Sequence, residues 1–116
     1  EIFATERVQS ALKREFHYAF SDEKYPGVPK LNLNTIVNKS FEVLGLTLIP
    51  IALTHYKMPV FGYRIGNFAY ITDANIIAPE ELKKLEGVEV MVINACIYNR
   101  NAVFSSSSTI INLTVC

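Results

Sequence analysis

Tryptophan is absent, cysteine and histidine occur twice each, and glycine and proline five times each in a chain of 116 residues. Charge of a dominant sign is missing too, since eleven basic side chains balance eleven acidic ones. Scattered basic residues at zero net charge leave no electrostatic footprint for nucleic-acid phosphates, so duplex DNA is not an expected partner. Cys96 and Cys116 belong to no Cys-x-x-Cys pair and to no Cys/His cluster of zinc-finger spacing. Free thiols in a reducing cytoplasm are the default reading of that pair, and a disulfide across a hairpin is the alternative. The longest apolar stretch, residues 44–53, is interrupted by Gly45, Thr47 and Pro50 and is too short to span a bilayer, so no membrane partner is expected. The sequence opens at Glu1 without a signal-like segment, which reads as a processed chain or a piece of a longer one. Without a secretion signal, Asn38-Lys39-Ser40 and Asn112-Leu113-Thr114 read as coincidental glycosylation patterns.

What remains is half hydrophobic and 19% charged, the composition of one globular unit, residues 1–116, rather than of a disordered chain. A domain of this length buries roughly two-thirds of its unfolded surface, so a core needs neither disulfide nor structural metal. Residues 5–16 carry Val8, Ala11, Leu12 and Phe16 at helical spacing, which predicts an amphipathic helix burying that face. Turn formers at Ser21, Asp22, Pro26, Gly27 and Pro29 predict a loop over 17–30; its aromatics, Tyr18, Phe20 and Tyr25, either pack beneath it or cover a cleft. Residues 41–53 read as two short strands, or as one strand kinked at Gly45. The β-rich flanks of Gly66-Asn67 predict a hairpin over 61–72. Pro79 opens a short helix with Glu80 and Glu81 in its first turn, Leu82 and Leu85 inward, and Gly87 as its cap. Residues 88–93 read as a strand covered on both sides. The tail, 97–116, is atypical: a turn at 98–101, a serine run at 105–108, and alternation over 109–115 that passes for a strand. The order predicts an α/β layered fold, a mixed sheet covered by helices.

No Gly-x-Ser-x-Gly elbow and no glycine-rich phosphate loop marks a nucleophile or nucleotide site. His55 and Asp73 stand out by position, each directly after a predicted strand. Groups delivered at strand ends converge at one rim of a layered fold, where an imidazole and a carboxylate are donors that zinc, manganese or iron takes. An ordinary loop histidine and turn aspartate are the alternative reading. Arg64 reads as a packed, ion-paired strand residue.

The run Leu53-Thr54-His55-Tyr56, then Val60-Phe61-Gly62-Tyr63-Arg64-Ile65, then Phe68-Ala69-Tyr70-Ile71-Thr72-Asp73, followed by Pro79-Glu80 and a strand near 88–94, resembles the middle of a metallo-β-lactamase-fold hydrolase. The likeness spans about residues 3–95 and is nearest to the phosphodiesterase-like branch, which includes the phosphonate-pathway cyclic phosphodiesterases and, further off, tRNA-processing nucleases. That resemblance implies part of a four-layer αββα sandwich with a dinuclear metal centre at one rim. It implies that His55 binds one metal and that Asp73, the catalytic carboxylate, bridges both, holding a hydroxide that attacks phosphorus in a small phosphodiester.

The sequence also departs from the family. The principal His-x-His-x-Asp-His signature is absent upstream of Phe3-Ala4-Thr5-Glu6-Arg7, and Cys96-Ile97-Tyr98-Asn99-Arg100 lacks the further histidines. Two ligands cannot enclose a metal pair, so the zinc, manganese or iron of the complete site is expected to bind weakly or not at all to this chain alone. Two readings follow. Either the chain belongs to a phosphodiester hydrolase completed by other residues or a completing chain, or it is an inactive remnant that self-associates through exposed edges and apolar faces.

Overall fold

The computed structural model describes residues 1–21, 26–94 and 109–112. Tyr25, both cysteines with their alternative pairing, the turn at 98–101 and the serine run at 105–108 lie outside the described residues. The chain forms two compact units, Glu1–Val37 and Asn38–Cys116. Among the described residues no helix is long and apolar enough to cross a membrane.

In the first unit, β1 (Ile2–Ala4) pairs in parallel with β2 (Leu33–Thr35), and α1 (Glu6–Glu15) and α2 (His17–Phe20) lie between them in sequence. Thr5 caps α1, its hydroxyl accepting from Val8 N–H at 3.5 Å, while Glu6 opens the helix and Lys13 and Arg14 close it, each sign matched to the helix dipole. The buried face differs from the predicted one. Ala11 and Leu12 are half-buried, but Val8 and Phe16 are exposed and Gln9 is buried instead. The Gln9 amide explains the exchange: its Nε2 donates to the Ala4 carbonyl and to Thr35 Oγ1, both at 3.0 Å, tying the helix to both strands. The loop predicted from residue 17 begins instead with the turn of α2, which buries Ala19 and leaves Tyr18 exposed.

The second unit is a mixed sheet of seven strands among the described residues. Its order is β3 (Phe41–Val43), β4 (Leu46–His55), β5 (Met58–Ile65), β6 (Phe68–Thr72), β8 (Val90–Asn94) and β9 (Thr109–Asn112), with β7 (Ile76–Ile77) also paired to β4. Residues 41–53 are thus two strands, reversed at Leu44-Gly45 with φ 51° and 79°, both left-handed as a tight hairpin turn demands. Gly66-Asn67 reverses β5 into β6 as predicted, the glycine supplying φ 57° at the first turn position. A further hairpin escaped the sequence reading: β4 and β5 pair from Leu48↔Ile65 to His55↔Met58 around Tyr56-Lys57, so His55 closes its strand instead of following it.

One face of the sheet carries the core, with Ile51, Leu53, Ala69, Ile71, Met91 and Ile93 buried together with Ala74, Leu85 and Val88. β8 is less enclosed than its aliphatic run predicts, because Met91 and Ile93 are buried while Val90 and Val92 are half-buried. Gly62 leaves room for side chains of the two strands beside β5: a Cβ there would lie 3.0 Å from Ile71 Cγ1 and 3.1 Å from both Leu53 Cδ1 and the Tyr70 carbonyl.

The Pro79 helix is present as α3 (Pro79–Leu82), continued by a 3₁₀ turn (Lys83–Leu85). Leu85 is buried as predicted, and so is the first-turn acid Glu81. Its carboxylate accepts from Ala52 N–H at 2.7 Å, Asn38 Nδ2 at 2.8 Å and Lys84 Nζ at 2.8 Å. Lys84 also donates to the Pro50 carbonyl at 2.9 Å. Together Glu81 and Lys84 satisfy the open side of β4 between the stretches paired with β3 and β7. Arg64 is packed, but carbonyls rather than a carboxylate receive it: Nε donates to Gly66 O at 2.7 Å and Nη1 to the Lys84 and Glu86 carbonyls at 2.6 Å each.

Candidate functional site

Strand direction decides which residues share an edge. β4 and β6 both run antiparallel to β5, and β8 and β9 continue parallel to β6. The carboxyl ends of β4, β6, β8 and β9 therefore line one edge of the sheet, where open α/β sheets place their ligand sites. His55 is the last residue of β4 and Asp73 the first after β6, so both stand at that edge.

Alternation decides the face. His55 follows Ile51 and Leu53 at steps of two, Asp73 follows Ala69 and Ile71, and all four apolar residues belong to the buried core. His55, still within β4, thus continues the core face to its rim, whereas Asp73 lies just past β6 at φ 56°, where alternation no longer sets the direction of a side chain.

The connection after β6 brings them closer still. β5 occupies one side of β4 and β7 the other, so residues 73–75 carry the chain across the sheet, with Ala74 buried. Asn75 fastens this crossing to both sides of His55. Its N–H donates to the Thr54 carbonyl at 2.9 Å, and its Oδ1 accepts from Tyr56 N–H at 2.7 Å. Asp73, two residues earlier, is held at φ 56°, a left-handed state that aspartate tolerates better than most side chains.

The His55 ring meets the Tyr56 ring edge-on, with centroids 4.8 Å apart and planes at 71°. Its Nδ1 is buried and has no hydrogen-bond partner. A buried ring nitrogen left in that state costs about 1–3 kcal/mol, which a coordinated cation or a bound ligand donor would remove. An imidazole and an exposed carboxylate suit a divalent cation in kind, and they share an edge. In number they fall short: among the described residues no group of three or more His, Cys, Asp and Glu side chains gathers to hold a metal ion. The described residues supply a pair of donors, not a closed site.

Sequence reasoning missed Asn75 and Tyr56. The Asp-x-Asn spacing at 73–75 was a usable signal, since asparagine after a strand end commonly bonds nearby backbone. Nothing in the sequence marked Tyr56 as a turn residue.

This fold agrees with what the chain resembles. Residues 1–113 match the profile of the beta-lactamase superfamily domain, and the chain belongs to that family. An octanoyltransferase from Porphyromonas gingivalis is 33% identical over 100 residues, which make up 85% of this chain and 20% of that protein. Among solved structures, a diphosphatase from the PhnP family matches with a TM-score of 0.69 and 26% identity, over 80% of this chain and 33% of its own. The chain thus spans a fifth of one relative and a third of the other. The likeness agrees with the predicted metallo-β-lactamase-like α/β fold and a hydrolase-like architecture.

Proposed function

We propose that this chain is part of a metal-dependent phosphodiester hydrolase, to which it contributes His55 as ligand to one cation and Asp73 as the carboxylate bridging two. The observation that carries this reading is the buried, unpartnered Nδ1 of His55 at the edge that Asp73 shares. The likeness to a diphosphatase of the PhnP family, 26% identical, supports phosphorus-oxygen chemistry. The remaining ligands come from outside the described residues. Bound cations would activate water and offset charge on the phosphoryl oxygens. For its part, this chain fixes one imidazole and one carboxylate before substrate arrives: the Asn75 clamp holds the backbone on either side of His55, and Ala74 anchors the crossing that presents Asp73. Pre-positioning of this kind removes the reorganisation that would otherwise accompany the reaction.

The test is hydrolysis of bis(p-nitrophenyl) phosphate by the full-length polypeptide supplied with manganese or zinc. His55→Ala and Asp73→Asn should each lower turnover by about a hundredfold or more and reduce bound metal in elemental analysis, with circular dichroism unchanged. Near-normal turnover in either variant, or activity that survives exhaustive chelation, overturns the assignment.

A further inference from the structure

A two-residue hairpin turn places its first central residue at positive φ, a position that glycine, asparagine or aspartate fills with least strain. Gly66 follows that rule between β5 and β6. Between β4 and β5 the same position, at φ 52°, holds Tyr56. Its side chain is 78% exposed, so burial returns little of the backbone strain. The residue is nevertheless firmly placed, by the hydrogen bond from its N–H to Asn75 Oδ1 and by the edge-on contact of its ring with that of His55. Met58, the register partner of His55, and Ile76, the partner of Thr54, are 47% and 59% exposed and add apolar surface around the turn. Leu44 shares the left-handed geometry and the exposure, but it sits at the opposite end of β4 and meets no candidate ligand. What separates Tyr56 is an open aromatic face fixed beside a candidate ligand.

Resting on the hydrolase reading above, we infer that Tyr56 is a specificity-determining residue that stacks on a planar aromatic group of the substrate. The substrate class is then a phosphate ester bearing a ring such as a nucleobase, with the phosphate at the His55 and Asp73 edge and the ring on Tyr56. An aromatic side chain stacked on a base is worth about 1–3 kcal/mol, and is indifferent to which base it meets.

Competition by adenosine monophosphate and by ribose 5-phosphate tests this, because the two differ only in the base. Inhibition constants are measured on the metal-supplied full-length polypeptide hydrolysing bis(p-nitrophenyl) phosphate. The native protein should favour the nucleotide by about five- to 150-fold. Tyr56→Phe should keep that preference and Tyr56→Gly should lose it. Glycine suits the turn, so the melting temperature of Tyr56→Gly should hold or rise, whereas a purely structural tyrosine would lower it. A native protein that hydrolyses the diester but binds both competitors alike, or a Tyr56→Gly variant that retains the preference, overturns the inference and leaves the hydrolase reading standing. A native protein that hydrolyses no phosphodiester overturns both.

Discussion

Replacing Glu81 by leucine removes a carboxylate that three donors share, those of Ala52 N–H, Asn38 Nδ2 and Lys84 Nζ. Hydrogen bonds to a charged group contribute about 1.5–3 kcal/mol each, but they are not additive when they converge on one acceptor. The Lys84 side chain is 27% exposed and regains some hydration once its partner is gone, which trims the loss. Leucine fills the volume yet leaves the Ala52 N–H and the ammonium without their acceptor, so the expected cost is about 2–4 kcal/mol. Glu81→Gln keeps an acceptor oxygen and should cost less, about 1–2 kcal/mol. The pH dependence follows from the same contacts. Burial pushes the Glu81 carboxyl up, but hydrogen bonds from Lys84, Asn38 and Ala52 and the charge of Lys84 outweigh it, so the group sits below its ordinary value. A carboxyl lowered by folding stabilises fully above its unfolded value of about 4.3 and loses that contribution as pH falls through the folded value. Urea unfolding followed by far-ultraviolet circular dichroism should therefore show a stability gap between the native protein and Glu81→Gln that is constant from neutral pH to about 5 and narrows below about 4. A Glu81→Leu variant within about 0.5 kcal/mol of the native protein at neutral pH refutes the reasoning, as does a gap insensitive to acid.

Leu44→Asn should raise stability by about 0.5–1 kcal/mol in urea titration, because the residue is 98% exposed at φ 51° and asparagine accepts that geometry with no packing forfeited. Gly62→Ala should lower the urea midpoint, at a cost of about 1–3 kcal/mol, since the new methyl meets Ile71, Leu53 and the Tyr70 carbonyl at 3.0–3.1 Å.

Legibility in the sequence tracked the range of the interactions involved. Gly66-Asn67 announced its hairpin because the glycine alone satisfies a local backbone demand. Tyr56-Lys57 gave no such signal, since part of what secures that turn is an acceptor on Asn75, nineteen positions away. Glu81 could be placed in the first turn of its helix but its burial could not be read, because the partners that justify it, Ala52 and Asn38, are 29 and 43 residues distant. Gln9 supplanted Val8 on the buried side of its helix for a similar reason, its partner Thr35 lying 26 residues on. For Arg64 the packing was foreseeable, but the identity of its acceptors depended on carbonyls that a 3₁₀ turn happens to bring within reach. At the candidate site, the strand-end positions of His55 and Asp73 could be read from the apolar runs before them. That they share an edge required the directions of β4 and β6, which only the pairing of both with β5 supplies.

Ala74 is 1% exposed in the short crossing between β6 and β7. A bulkier neighbour at that point would lift the crossing off the sheet, carry Asp73 outward and slacken the grip of Asn75 on the hairpin tip. One inert methyl group thus serves as the spacer gauge between the His55 and Asp73 positions, and widening it step by step would tune their separation without touching either.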